Sequence, residues 1–318
     1  PDDCDLTVQL TFQNAFAYSS VPGSNWLAVG NLNNDNAPEI AVATSPDTQP
    51  LWLLYNDGNG AFPTTHTVGV PASDHSVVIA DFTGDGRKDI ALAENATRRV
   101  RIYRNNGDDT FTQNHLFNPT ADPVSLAAAD MDGDGDIDLV VGHWAGFISV
   151  VKNNGNGTFA APVYYTVPGT AYVVALGDID NDGDIDVVVA NLTGVVVRKN
   201  NGNGTLAAPT SYTAGGTAAC VALADFNGDG KLDIAAANEY GNTVSVLLNS
   251  GNGNFGASVN YPVGANSRFL VAVDLNQDGH PDIATANAQA AYLSVLPNRG
   301  DGTFGDAVSV PVPQAARV

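Results

Sequence analysis

Asp130-Met131-Asp132-Gly133-Asp134-Gly135-Asp136-Ile137-Asp138 puts carboxylates at positions 1, 3, 5 and 9 of a nine-residue loop, with glycine at position 6. The pattern, Asp-x-[Asp/Asn]-x-Asp-Gly-x-x-Asp, starts again at Asp81, Asp178, Asp225 and Asp274, with Thr83 at the third position of the first of these. A degraded copy starts at Asn31. Successive starts lie 50, 49, 48, 47 and 49 residues apart. Self-similarity at so even a period signals one supersecondary unit repeated along the chain.

Aligned on these loops, each unit holds four short apolar runs. One unit reads Val221-Ala222-Leu223-Ala224, Ile234-Ala235-Ala236-Ala237, Thr243-Val244-Ser245-Val246-Leu247-Leu248, then a run opening on Phe255. Runs this short, bounded by Gly, Asn or Pro, are strands rather than helices. The third and fourth are joined by links such as Asn153-Asn154-Gly155-Asn156-Gly157, whose Asn and Gly tolerate the positive φ of a tight hairpin. None of these links enters a helix, so the tight turn is preferred over a phosphate cradle. Four antiparallel strands per period make one blade of an all-β propeller. Six loops and six hairpins predict six blades, with seven as the alternative. Residues 1–25 are expected to close the ring through a strand at Leu6-Thr7-Val8-Gln9-Leu10-Thr11-Phe12 beside the last blade. Residues 26–318 form the propeller, the whole chain being one domain.

The acidic loops carry the chemistry. Hard oxygen donors at positions 1, 3, 5 and 9, plus the backbone carbonyl of position 7, suit Ca²⁺. No soft ligands accompany them, which excludes zinc and copper. The five candidate sets are Asp81, Thr83, Asp85, Asp89 with the carbonyl of Arg87; Asp130, Asp132, Asp134, Asp138 with that of Asp136; and Asp178, Asp180, Asp182, Asp186 with that of Asp184. Asp225, Asn227, Asp229, Asp233 with Lys231, and Asp274, Asn276, Asp278, Asp282 with His280, complete them. The copy at Asn31, Asn33, Asp35 and Glu39 lacks the leading Asp and has Asn36 for Gly, which makes it a weak sixth site. One ion per blade reads as structural stapling, since catalysis needs one special site.

The formal charge of −21 follows largely from these loops, whose candidate ligand carboxylates are 17 of the 34 Asp and Glu. Five Ca²⁺ would leave −11, still acidic, so nucleic acid and anionic membranes are excluded as partners. No stretch reaches the roughly 18–20 apolar residues of a membrane helix. The chain opens at Pro1 without a charged-then-apolar leader, which fits a signal peptide already removed and a secreted or cell-surface location. Cys4 and Cys220 are too few for a disulfide scaffold; Cys220 reads as a small buried side chain, with a Cys4–Cys220 bridge as the alternative.

Asp225-Phe226-Asn227-Gly228-Asp229-Gly230-Lys231-Leu232-Asp233, followed by Val244-Ser245-Val246-Leu247-Leu248-Asn249 and Gly251-Asn252-Gly253-Asn254-Phe255-Gly256, resembles the FG-GAP/VCBS repeat family of integrin-α-like propellers. The likeness covers roughly residues 26 to 310. It implies a Ca²⁺-loaded extracellular propeller with metal in the loop joining the first two strands of each blade. Many relatives are seven-bladed, and their roles span adhesion receptors, propeller lectins, polysaccharide lyases and surface proteins, so the family alone leaves the ligand open.

Metal loops crowd one face of the ring, so a ligand is expected on the other. There the loops differ between units and bring His75, Arg98, His143, Trp144, Glu239 and Tyr240. Aromatic faces beside polar tips are what a sugar platform needs. Trp26, Tyr172 and Phe269, near the starts of innermost strands, read as side chains that plug the channel or fill gaps between blades. No catalytic residue is assigned. The expected role is a binding module for carbohydrate or an extracellular protein; the alternatives are an adhesion or assembly protein, with oligomerisation, or a polysaccharide lyase drawing on His75, Arg98, His143 and Tyr240.

Overall fold

The computed structural model describes residues 24–44, 50–69 and 74–312, without the side chains of Ser24, Asn25, Asp74 and His75. Six four-stranded antiparallel sheets follow one another at 24–68, 74–117, 123–166, 173–213, 218–262 and 267–311, forming a six-bladed β-propeller. Strand order within each blade follows the chain, so three hairpins build every blade. Among the described residues no helix is long and apolar enough to cross a membrane.

First strands of successive blades pack beside one another from blade 1 through blade 6, which puts them innermost. Strand alternation sends one set of side chains to the preceding blade and the other to the following one. In blade 2, Val77, Ile90 and Leu92 join the core shared with blade 1, whereas Ala91, Ala93 and Val100 join the core shared with blade 3. A strand covered on both faces has no polar side, and the second strands of blades 2 to 5 are buried at every residue. Their near-continuous Ala/Val composition follows from that double burial.

A second device ties the blades together. In blades 2 to 6 the first Asn of the third-to-fourth hairpin is buried, and its Nδ2 donates to a main-chain carbonyl in the acidic loop of the preceding blade. Asn105 reaches Leu32 O at 2.7 Å, Asn153 reaches Phe82 O at 2.8 Å and Asn200 reaches Met131 O at 2.7 Å. Asn249 reaches Ile179 O at 2.7 Å, and Asn298 reaches Phe226 O at 2.9 Å. Each amide also donates to a carbonyl of its own blade, such as Ile137 O for Asn153. Read from sequence these asparagines are turn formers; in the fold they are clasps between blades. Asn56, their counterpart in blade 1, donates among the described residues only to Pro38 O of its own blade.

Blades 6 and 1 meet through Phe269 and Trp26, whose rings stand edge to face at 5.3 Å. The expected closing strand at 6–12 lies outside the described residues, as does Cys4. Cys220 is a free, buried thiol whose pKa burial pushes up to about 11.

Asn153→Ala would strand the buried carbonyls of Phe82 and Ile137, so it is expected to lower unfolding stability by about 1–3 kcal/mol. Asn56→Ala, on an exposed amide without a cross-blade bond, should stay within about 0.5 kcal/mol. Denaturant titration of the two variants checks the contrast.

Candidate functional site

The metal loops all lie between first and second strands, on one face of the ring. Their shape is set by carboxylates accepting main-chain N–H bonds. Asp130 Oδ1 accepts from Gly133 at 2.8 Å and its Oδ2 from Gly135 at 2.9 Å, while Asp134 Oδ1 accepts from Asp136 at 2.9 Å. Asp81, Asp178, Asp225 and Asp274 make the same bond to the residue at position 6.

Position 9 is fully buried in all five loops, at Asp89, Asp138, Asp186, Asp233 and Asp282. Asp138 Oδ2 accepts from Met131 N at 2.9 Å and Oδ1 from Asn153 N at 2.7 Å, so one carboxylate joins loop and hairpin. Burial raises the pKa of all five, pushing Asp138 and Asp186 up to about 6.

Two loops gather their carboxylates most tightly. Oxygens of Asp130, Asp132 and Asp138 lie within 4.8 Å of one another, as do those of Asp178, Asp180 and Asp186. In both, the position-3 carboxylate keeps a buried oxygen without a hydrogen-bond partner, Asp132 Oδ1 and Asp180 Oδ1. An anionic oxygen left thus in the interior calls for a cation, so these residues fit a metal ion. The other oxygen of each meets a lysine, Lys152 Nζ at 2.9 Å and Lys199 Nζ at 3.0 Å. Both lysines also donate to the next blade's hairpin, at Asn203 O and Asn252 O.

The remaining loops carry less free charge. Asp85 pairs with Arg87 and Arg104, and Asp229 pairs with Lys231. Thr83 Oγ1 donates to Asp89 Oδ2 at 3.0 Å, and Asn276 Nδ2 to Asp278 Oδ2 at 2.8 Å. Asp182 Oδ1 receives the Asp184 N–H, and Asn227 Oδ1 that of Asp229. Position-7 side chains turn towards their own hairpins, with Asp136 against Gly155, Asp184 against Gly202 and His280 against Gly300. In the degraded loop, Glu39 takes over the position-9 brace, its Oε2 accepting from Leu32 N at 2.6 Å, while Oε1 is buried and unpartnered. Asn31 Oδ1 accepts from Asn34, and Asn33 Nδ2 donates to Asp35.

The opposite face opens into the mouth of the central channel, a cavity of about 310 Å³. Trp26, Trp144, Tyr172, Tyr240 and Phe269 line it, with Glu239 and Arg268 among them. Trp26, Tyr172 and Phe269, expected to plug the channel or fill gaps between blades, stand half-buried: Trp26 and Phe269 meet across a seam, and all three line an open bowl. Contacts between blades fix the rim. Trp144 meets Tyr172 edge to face at 5.4 Å, and Arg268 donates from Nε and Nη2 to Glu239 Oε1 at 3.0 and 2.7 Å. Burial first, then the charge of Glu239, raises the Tyr172 phenol, which therefore remains a hydrogen-bond donor. Trp144 also borders a second cleft, about 230 Å³, beside the Arg98–Asp122 ion pair. Tyr240 is 74% exposed and Trp144 44%, free rings at the surface.

His143 takes a different place from the one expected on this face. Its ring is fully buried, with Nδ1 3.3 Å from Ala121 O and Nε2 2.9 Å from Ser149 Oγ. A carbonyl only accepts, so Nδ1 carries the proton and Nε2 receives the serine hydroxyl. Burial pushes its pKa down to about 4. It is the blade-3 form of a clasp that Glu94 makes with Arg101, Asn238 with Ser245 and Asn287 with Ser294. The side chain of His75 lies outside the described residues. Arg268 went unassigned from sequence because its partner, Glu239, lies 29 residues away on the neighbouring blade.

In a chelator, the folded chain should bind protons at Asp138 and Asp186 more tightly than the unfolded chain, whose carboxyls titrate near 3.8. Stability of the metal-free protein is then expected to fall as pH rises from about 4 to about 6. Thermal melts in EDTA across that window measure it.

Five overlapping segments, 31–92, 81–141, 130–189, 178–236 and 225–285, match the FG-GAP-like repeat. No curated protein matches the chain. Among solved structures, an Agrocybe aegerita lectin described as recognising non-reducing terminal N-acetylglucosamine is similar at 20% identity and TM-score 0.64, over 91% of this chain and 80% of that one. A Lactobacillus plantarum protein is similar at 13% identity and TM-score 0.68, over 92% and 86% of the two chains. BBS1N, in complex with ARL6DN, is similar at 17% identity and TM-score 0.61, over 92% and 84%. At such identities the likeness carries the fold alone. With matched repeats running from residue 31 to residue 285, the chain belongs to the FG-GAP-like repeat family.

Proposed function

We propose that this protein is a secreted or cell-surface calcium-binding propeller that binds carbohydrate at its channel mouth. The observation that carries the reading is Trp144, an exposed ring shared by two adjoining cavities and buttressed by Tyr172. Such a ring stacks on the C–H face of a sugar, and Arg98, Glu239 and Arg268 supply the polar tips that orient hydroxyls. Two cavities meeting at one ring suit an oligosaccharide better than a single sugar unit. That a propeller of this fold is described as a lectin supports the reading at the level of architecture.

A protein ligand is the second reading. Exposed Trp, Tyr and Arg on one rim are also what interface hot spots are made of, and another propeller of this fold sits in a protein complex. The lyase reading has lost a participant, because a buried imidazole bonded to Ser149 cannot reach a substrate.

Calcium is the ion that the oxygen-only donor sets select. Asp130, Asp132, Asp138 and Asp178, Asp180, Asp186 would hold it most strongly, and the loops at Asp81, Asp225 and Asp274 follow. Bound there, it would supply the positive charge that the buried carboxylates lack.

Trp144→Ala should weaken binding to a glycan hit by at least tenfold while leaving the melting temperature unchanged. Equal affinity in the variant, measured calorimetrically, would remove the channel mouth as the site. Adding CaCl₂ to chelator-treated protein should stabilise it by about 2.7 kcal/mol per site at 100-fold excess over Kd. The D132N/D180N variant should lose the two tightest sites; a titration without heat would refute the calcium assignment.

A further inference from the structure

The six seams between blades are not alike. At five of them, the fourth residue of the innermost strand, or the second of the shorter strand 173–177, points into the preceding blade and is buried. Val77 is 1% exposed, Leu126 3%, Val174 6%, Val221 5% and Leu270 5%. Leu27, the same position in blade 1, is 61% exposed, and Val29, two residues on along the same face, is 58% exposed. The facing wall in blade 6 matches them: Val271 is 57% and Val273 44% exposed. Behind these, Ala284 and Ala286 are only half-buried, in contrast to their fully buried counterparts in blades 2 to 5.

Three further observations fall on the same seam. Leu275, at position 2 of the last metal loop, is half-buried, whereas Leu32, Phe82, Met131, Ile179 and Phe226 are all 3% exposed or less. The asparagine clasp is missing there, since Asn56 bonds within its own blade. Trp52 Nε1, on the blade-1 strand facing this way, is buried without a hydrogen-bond partner. Blades 6 and 1 therefore touch at the channel mouth, through Trp26 and Phe269, and diverge towards the metal-loop face. The result is an apolar wedge.

We propose that this wedge is the docking groove for the chain's own residues 6–12, seated in the seam rather than on the outer edge of blade 6. Leu6, Val8, Leu10 and Phe12 alternate with Thr7, Gln9 and Thr11, giving one apolar face to enter the wedge and one polar face to stay wet. Seven extended residues span about 23 Å, the length of the seven-residue strand 24–30 that forms one wall. Each innermost strand pairs on one side only, which leaves N–H and C=O groups unpaired along the channel edge of the wedge, where an incoming backbone can bond them. The eleven residues between Phe12 and Ser24 reach about 36 Å at most, ample to return the chain to the start of blade 1. A seated strand would supply the cross-seam cohesion that Asn56 does not.

Hydrogen exchange of the full chain tests this, with amides 6–12 expected to exchange at least 100-fold slower than an unstructured peptide. In the L27D/V271D variant their protection should disappear while the second strands of blades 3 to 5 keep theirs, which shows that the fold is intact. Benzoylphenylalanine in place of Phe12 should crosslink within the same molecule to 24–30 or 267–273. Free exchange of 6–12 in the unaltered chain, protection that survives L27D/V271D, or crosslinks confined to 308–311 on the outer edge would each overturn the proposal. So would protection that rises with protein concentration alongside a dimer mass, since the occupant would then be a second copy.

Discussion

The structure depends on one buried carboxylate per blade. At position 9 of each loop, Asp89, Asp138, Asp186, Asp233 or Asp282 accepts one N–H from its own loop and another from its own hairpin. The hairpin residue bonded this way is the same asparagine whose amide grips the preceding blade. Loop, hairpin and neighbouring blade thus share a single knot, and a buried charge is tolerated because hydrogen bonds surround it. Disturbing either member is felt across the seam as well as within the blade.

That knot also explains the electrostatics of the metal-loop face. Fixing position 9 inside brings positions 1 and 3 close to it, which concentrates like charge where water is scarce. Blades 2 and 5 relieve the repulsion with Arg87, Arg104 and Lys231. Blades 3 and 4 keep one carboxylate oxygen bare beside a lysine. Loops cut from one pattern therefore differ in how their charge is compensated.

The two ends of the ring are specialised in opposite ways. The acidic loops are repetitive because each makes the same position-9 hydrogen bonds to its loop and hairpin. Loops on the channel-mouth face are free of that duty, and there the blades contribute unlike residues: Trp144, Glu239, Tyr240 and Arg268 have no equivalents around the ring. A site assembled from unlike blades at a shared axis is asymmetric, as recognition of one ligand requires.

Periodicity by itself determined the six blades, the strand order and the carboxylate loops, because each repeat is a local unit whose hydrogen bonds close within about fifty residues. The aromatic rim at Trp144 and Tyr240 was legible too, since loops that break the pattern stand out against it. Three features needed the fold. His143 looked like a ligand contact but is an internal clasp, since the last residue of a second strand can turn inward or outward without altering the pattern. The asparagine clasps span some seventy residues, and the Arg268–Glu239 pair joins two blades, so neither exists until the ring has formed. The divergent seam is of the same kind: Leu27 and Val271 read as ordinary strand residues, and only the angle between the first and last blades leaves them uncovered.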